Sequence, residues 1–214
     1  MADAPTDGPS SEEKSLHAQE RVSKANLRQR EEFLQQIGTT EAEKLIFLDE
    51  SGVTTQMTRQ WGRAPKGERV AEARPESHWK VLTTLGAMSL EGMVATMKVE
   101  STTDSDVFEA FLKEVLCPEL KAGDVVVMDN LSVHKVDRVG ELIEGAQARL
   151  LYLPPYSPDL NPIKKAWSKF KQFLRSAKAR TQQALDLAVP EALKSITAEN
   201  SRAWFQYCGY APQN

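Results

Sequence analysis

Cysteine is nearly absent from this chain of 214 residues, and the two present, Cys117 and Cys208, lie far apart with no CxxC pair. That spacing excludes a disulfide framework or a cysteine-rich metal knuckle and leaves both thiols as small buried hydrophobes. No apolar run approaches the roughly 18 residues of a membrane span. The opening "MADAPTDGPSSEEK" is polar and acidic, which excludes a signal or transit peptide and makes a soluble, cytoplasmic protein the expectation. No internal repeat is present. An excess of positive charge is also missing: the net charge is −3, which taken alone argues against a nucleic-acid partner.

The distribution of charge reverses that argument. Residues 163–180, "IKKAWSKFKQFLRSAKAR", carry seven Lys or Arg and no acid, leaving 20 basic and 30 acidic residues for the rest of the chain. A basic face of this kind binds phosphates even on an acidic protein. Its solvated-face alternative is equally simple, because charged residues cover most exposed helices. A hydrophobic content of 41% is enough for one core of ordinary size.

Residues 1–15 are expected to be disordered, and residues 16–43 to form a charged helical lead-in with sparse apolar positions. The main domain then runs 44–214. "KLIFLDES" (44–51) and "DVVVMDN" (124–130) are short apolar runs ending in acids, and "ARLLYLP" (148–154) is a third such run. Each predicts a buried strand. "KVLTTLGAMSLEGMVATMKVE" (80–100) predicts two strands about a turn at Glu91-Gly92. Residues 52–76 lack periodicity and form a long basic loop. Helices are predicted at 104–120, with Val107, Phe108, Phe111, Leu112 and Val115 on one face, then at 136–146, from Asn161 onward, and in two C-terminal segments. The order β, β-hairpin, α, β, α, β, α implies a mixed five-stranded α/β sheet, an antiparallel hairpin joined to parallel strands, flanked by helices.

Asp49 and Asp129 close the first and fourth strands. On adjacent parallel strands both carboxylates emerge at the edge where α/β sheets bind ligands. Two neighbouring carboxylates repel unless a cation or proton lies between them. Hard oxygens suit Mg²⁺ or Mn²⁺, and two such ions about 3.5–4 Å apart clamp the attacking and leaving oxygens of a phosphodiester. A third acid is then expected near the start of the helix after strand five. There "PPYSPDLNPIKKAWSKFK" offers Asn161 as N-cap, Pro162 at the first helical position and, at the third, Lys164. A cation at this position opposes the helix dipole by roughly 0.3–1 kcal/mol.

Taken together, "FLDESG", "VVVMDNLSVHK" and "LLYLPPYSPDLNPI", with "MTRQWGRAPKGER" and "WFQYCGY", resemble the DDE catalytic domain of bacterial insertion-sequence transposases of the mariner superfamily. The resemblance runs from about Ser15 to the end of the chain. It implies an RNase H-like fold, two divalent ions (Mg²⁺ or Mn²⁺), and DNA cleavage and strand transfer by in-line attack at phosphorus. It implies Asp49 as the first metal-binding acid and Asp129 as the second. The family's third acid, a glutamate, aligns with Lys164, with 34 residues between it and Asp129. Asp159, Asn161, Pro162, Ile163 and Trp167 around it all match.

A Lys⁺ 4 Å from Mg²⁺ costs about 8 kcal/mol at an effective dielectric near 20, an upper bound because the long stem swings away. The second ion site is therefore expected to be weak, and cleavage impaired. Candidate DNA contacts are Arg59, Arg63, Lys66 and Arg69 in the loop, His134 after strand four, and Lys165, Lys169, Lys171 and Arg175 on the basic helix. About 43 residues precede strand one, too few and too charged for the family's helix-turn-helix region. A partner chain supplying end recognition, and a homodimer on DNA, are the corresponding expectations. Two rivals stand beside this reading. A phosphoacceptor domain also uses strand-end acids, but the early hairpin opposes its all-parallel sheet. A transposase remnant that binds DNA or protein without cleaving it is the other.

Overall fold

A computed structural model describes residues 19–59, 62–73, 81–100, 103–129 and 137–210. Five strands form one sheet: β1 Leu45–Thr54, β2 Val81–Ser89, β3 Gly92–Val99, β4 Val125–Met128 and β5 Arg149–Tyr152. Their spatial order is β3-β2-β1-β4-β5, with β1–β2 and β2–β3 antiparallel and β1–β4 and β4–β5 parallel. This is the mixed sheet that the apolar runs predict. The helices are α1 Lys24–Ile37, α2 Ser105–Phe111, α3 Asp137–Gly145, α4 Ile163–Ala177, α5 Gln182–Lys194 and α6 Ala198–Tyr207. Among the described residues no helix is long and apolar enough to cross a membrane.

Strand alternation splits the core in two. Leu45, Phe47 and Val53 of β1 join Val125 and Val127 of β4 and the inward residues of α1 and α4–α6 in one cluster. Ile46, Leu48, Val126 and Met128 join Phe108 and Phe111 of α2 and Val139 and Ile143 of α3 in the other. Helix α2 starts where the sequence places it: the Asp104 carboxylate accepts the Val107 N–H at 2.9 Å. It continues as a π-helical stretch at Leu112–Leu116.

Two local expectations differ. Strand β1 does not end near Asp49 but runs on to Thr54, because β2 pairs with it through Thr54↔Val81 long after β4 has stopped. Helix α4 also begins without a side-chain cap. Asn161 has extended backbone and its carbonyl accepts the Lys164 N–H at 3.1 Å, but its own side chain is buried with neither polar atom hydrogen-bonded. The residue closes a 3-10 turn over Pro158–Leu160, and that turn directs the amide into the protein instead of along the helix axis.

Helix α1 is fastened to the segment before α4. Phe33 and Ile37 are buried against the α4–α6 side of the core, each worth roughly 1.5–3 kcal/mol at full burial. Arg30 donates to Asp159 at 2.8 and 3.2 Å and to the Ser157 hydroxyl at 2.6 Å, and Arg21 reaches Asp159 at 2.9 Å. These ion pairs are half-exposed, where each is worth about 1 kcal/mol or less. Apolar burial therefore holds α1, and the arginines set its orientation. Burial pushes the Asp159 carboxyl up, but Arg30 and Arg21 outweigh it and hold the group below the ordinary aspartate value. The lock thus contributes above about pH 3.9 and is lost as the pH falls through the lower, folded-state value. Thermal unfolding between pH 6 and pH 3 checks this: Asp159→Asn is expected to be less stable than the native chain at pH 6 and to lose less on acidification.

Candidate functional site

The parallel register of β1 and β4 is Leu45↔Val125 through Leu48↔Met128. Asp49 and Asp129 are the next residues along each strand, so they stand side by side where β4 leaves the sheet. Alternation puts Asp49 on the face of Phe47 and Val53, the face covered by α4. Its side chain is only 2% exposed. Into this notch comes Lys164 from the first turn of α4, its ammonium 2.9 Å from Asp49 Oδ1 and 2.8 Å from Oδ2. The Lys164 side chain is 43% exposed, so water reaches the pair from that side. Burial, and to a lesser degree the negative charge of Asp129, push the Asp49 carboxyl above its ordinary value, while Lys164 pulls it down without prevailing.

The start of α4 is held close to the sheet. Ile163, Ala166, Trp167, Phe170 and Leu174 form its buried face. Trp167 lies over Gly86, the β2 residue paired with Asp49; a Cβ on Gly86 would meet Trp167 Cη2 and Met93 Cε at 2.7 Å. Sequence reading passed over this glycine, although a lone glycine inside an apolar strand signals a close approach. From the far side, the Tyr210 hydroxyl donates to the Leu160 carbonyl at 2.7 Å and steadies the turn before α4.

A family model described as "DDE superfamily endonuclease" matches residues 44–186. The chain belongs to this family. It is 28% identical over 188 residues to the transposable element Tcb1 transposase of Caenorhabditis briggsae, covering 82% of this chain and 69% of that protein. The fold is that of the Mos1 transposase catalytic domain. The Mos1 paired-end complex with the left transposon end superposes with a TM-score of 0.75 at 16% identity, over 94% of this chain and 64% of that one. The isolated catalytic domain of Mos1 mariner transposase superposes with a TM-score of 0.60 at 14% identity, over 91% and 92%. The chain therefore spans about two thirds of the length of the Mos1 chain in the complex.

Adjacent acids at a sheet edge raise the question of a metal ion. Among the described residues, no group of three or more His, Cys, Asp or Glu is placed to hold an ion. Among the described residues the donors at the notch are the adjacent carboxylates of Asp49 and Asp129, and Lys164 engages Asp49. Among the described residues, that set does not fit a two-ion centre.

The remaining candidates separate onto different surfaces. Lys171 and Arg175, both half-buried, lie seven and eleven positions beyond Lys164 and share its side of α4. Lys165 and Lys169 point elsewhere. The Lys165 ammonium sits 4.2 Å above the Tyr207 ring, and Lys169 donates to the Ser195 carbonyl and the Asn200 side chain, bridging α5 to α6. Arg63, Lys66 and Arg69 are exposed, and Arg59 donates to Ser176 Oγ at 3.2 Å. The loop is pinned to the α4–α5 junction by Arg180, which donates to the Met57 carbonyl, and by Glu72, which pairs with Lys178 and Arg180 at 3.0 and 2.8 Å. Sequence reading missed Glu72 as an anchor, and no local pattern marks it. His134 falls outside the described residues.

Because Trp167 is rigidly packed, Gly86→Ala is expected to destabilise the fold by about 1–3 kcal/mol. The readout is a lower urea midpoint at unchanged slope. A native-like midpoint would show that the indole has room to move.

Proposed function

We propose that this chain is a transposase catalytic domain that engages DNA but cleaves it poorly, because Lys164 occupies the position of the third acid. The observation that carries this reading is the ion pair of Lys164 with Asp49 beside Asp129. In the proposal Asp49 and Asp129 are the first two acids, and the helix start after "NPI" is the seat of the third. Family membership and the Tcb1 similarity support the reaction class. Solved Mos1 complexes with transposon-end DNA, with Mn and with Mg support DNA as the partner and a divalent cofactor for the ancestral chemistry. A second copy of the chain on paired DNA ends, and a separate chain for end recognition, extend the same reading.

Lys164 acts against cleavage in two ways. It removes a carboxylate from the donor set, and it places a positive charge where a second ion would have to sit. The same ion pair favours a second reading, a DNA-binding remnant with no latent activity. Nicking of duplex DNA in Mg²⁺ or Mn²⁺ separates the possibilities. The native chain is expected to be inactive or nearly so, and Lys164→Glu to raise cleavage by two or more orders of magnitude, about the effect of one well-placed electrostatic group. Robust cleavage by the native chain overturns the proposal. A folded but silent Lys164→Glu selects the remnant.

A further inference from the structure

We infer that the notch between β1, β4 and α4 is a metal-independent seat for a phosphodiester, in which the Lys164 ammonium stands in for a divalent ion and Lys171 with Arg175 faces the phosphate. The inference rests on the reading that this notch meets DNA, and it concerns how the site is neutralised, not whether it cuts.

Two acids side by side need a counter-charge. Here it is covalently attached: the Lys164 ammonium lies within 2.9 Å of both oxygens of Asp49. Asp49 and Asp129 contribute two negative charges at the notch, Lys164 one positive charge there, and Lys171 a second within reach of Asp49, with Arg175 a further turn along the helix. A divalent ion entering this set would meet acids already answered by fixed cations, whereas an anion would meet those cations along the ridge.

The placement of Lys171 supports the anion. It lies two helical turns beyond Lys164 on the same side of α4, with Arg175 one turn further. Burial, then the charges of Arg175 and Lys164, weaken its hold on its proton, and only the charge of Asp49 strengthens it. An ordinary surface lysine sits fully in water and avoids this crowding. A phosphodiester placed against the ridge beside Lys171 relieves the repulsion that Arg175 and Lys164 exert on it. The other basic residues of α4 do not share the ridge. Lys169 is held between α5 and α6, and Lys165 rests on Tyr207.

The test is fluorescence anisotropy with a labelled duplex of about twenty base pairs and arbitrary sequence, titrated with the full chain in EDTA and in Mn²⁺ across a salt series. The native chain is expected to bind equally well, within about twofold, in both conditions. Lys171→Gln is expected to weaken binding about fivefold or more and to lower the salt slope by about one, while Lys171→Arg retains both. Lys164→Glu is expected to bind poorly in EDTA and to recover in Mn²⁺, because the tethered cation has been exchanged for a vacancy that a metal fills. Lys113→Gln, whose native lysine pairs with Glu114 beyond α2, is the control for nonspecific charge loss. Melting temperatures confirm that each variant is folded. Native binding that rises with Mn²⁺ as steeply as that of Lys164→Glu overturns the inference, as does native-like binding by Lys171→Gln. Cleavage by the native chain would sink the proposed function yet leave this binding result to be judged on its own.

Discussion

Two carboxylates at the end of a parallel strand pair set the terms for everything packed around them. Asp49 is almost fully buried and Asp129 is its neighbour in register. Taking such a charge out of water costs several kcal/mol, and an attraction across 2.8 Å offsets that only when the partner is well held. Lys164 supplies the partner, but with its stem partly in solvent the pair is screened. The ion pair is thus better understood as the removal of a penalty than as a source of stability. Its geometry depends on how closely α4 approaches the sheet.

That approach is determined from several directions. Gly86 leaves space on β2 for the Trp167 ring. Ile163 and Phe170 bury the same helix face completely. The turn before α4 is held by Tyr210 from the C-terminal side and by Arg30, through Ser157 and Asp159, from α1. The other end is held by Arg180 and Glu72, which bind the loop after β1 to the α4–α5 junction. A lysine in the first turn of an ordinary helix would extend into water. This one begins from a fixed first turn directly over Asp49.

Membership of the DDE superfamily explains why the scaffold exists in this form: the strand order and the helix after β5 bring three chain segments to one point. At the third of those segments stands Lys164, paired with Asp49. That point holds a mixed set of charges, acids from β1 and the end of β4 and a lysine from α4, with Lys171 and Arg175 further along the same ridge. The two hydrophobic clusters lie on either side of the sheet and do not involve Lys164.

Much of this was written into the chain's order. Apolar runs at 44–51, 124–130 and 148–154, alternating with helical periods, suffice to specify a mixed sheet, because a strand covered on both faces must be apolar throughout. The acids closing two of those runs, and the "DLNPI" entry to α4, mark the site for the same reason: charges interrupt buried segments only where something answers them. What the sequence could not decide was distance. The true length of β1 depends on β2 as partner, and the idle Asn161 amide on a turn that buries it. The division of the basic helix into a face toward Asp49 and a face toward α6 depends on neighbours far away in the chain. The residue order alone put a cation in the first turn of α4. Only the packing of α4 on the sheet decided that this charge would be answered by Asp49, since electrostatic energy follows separation in space, and separation is a property of the folded chain.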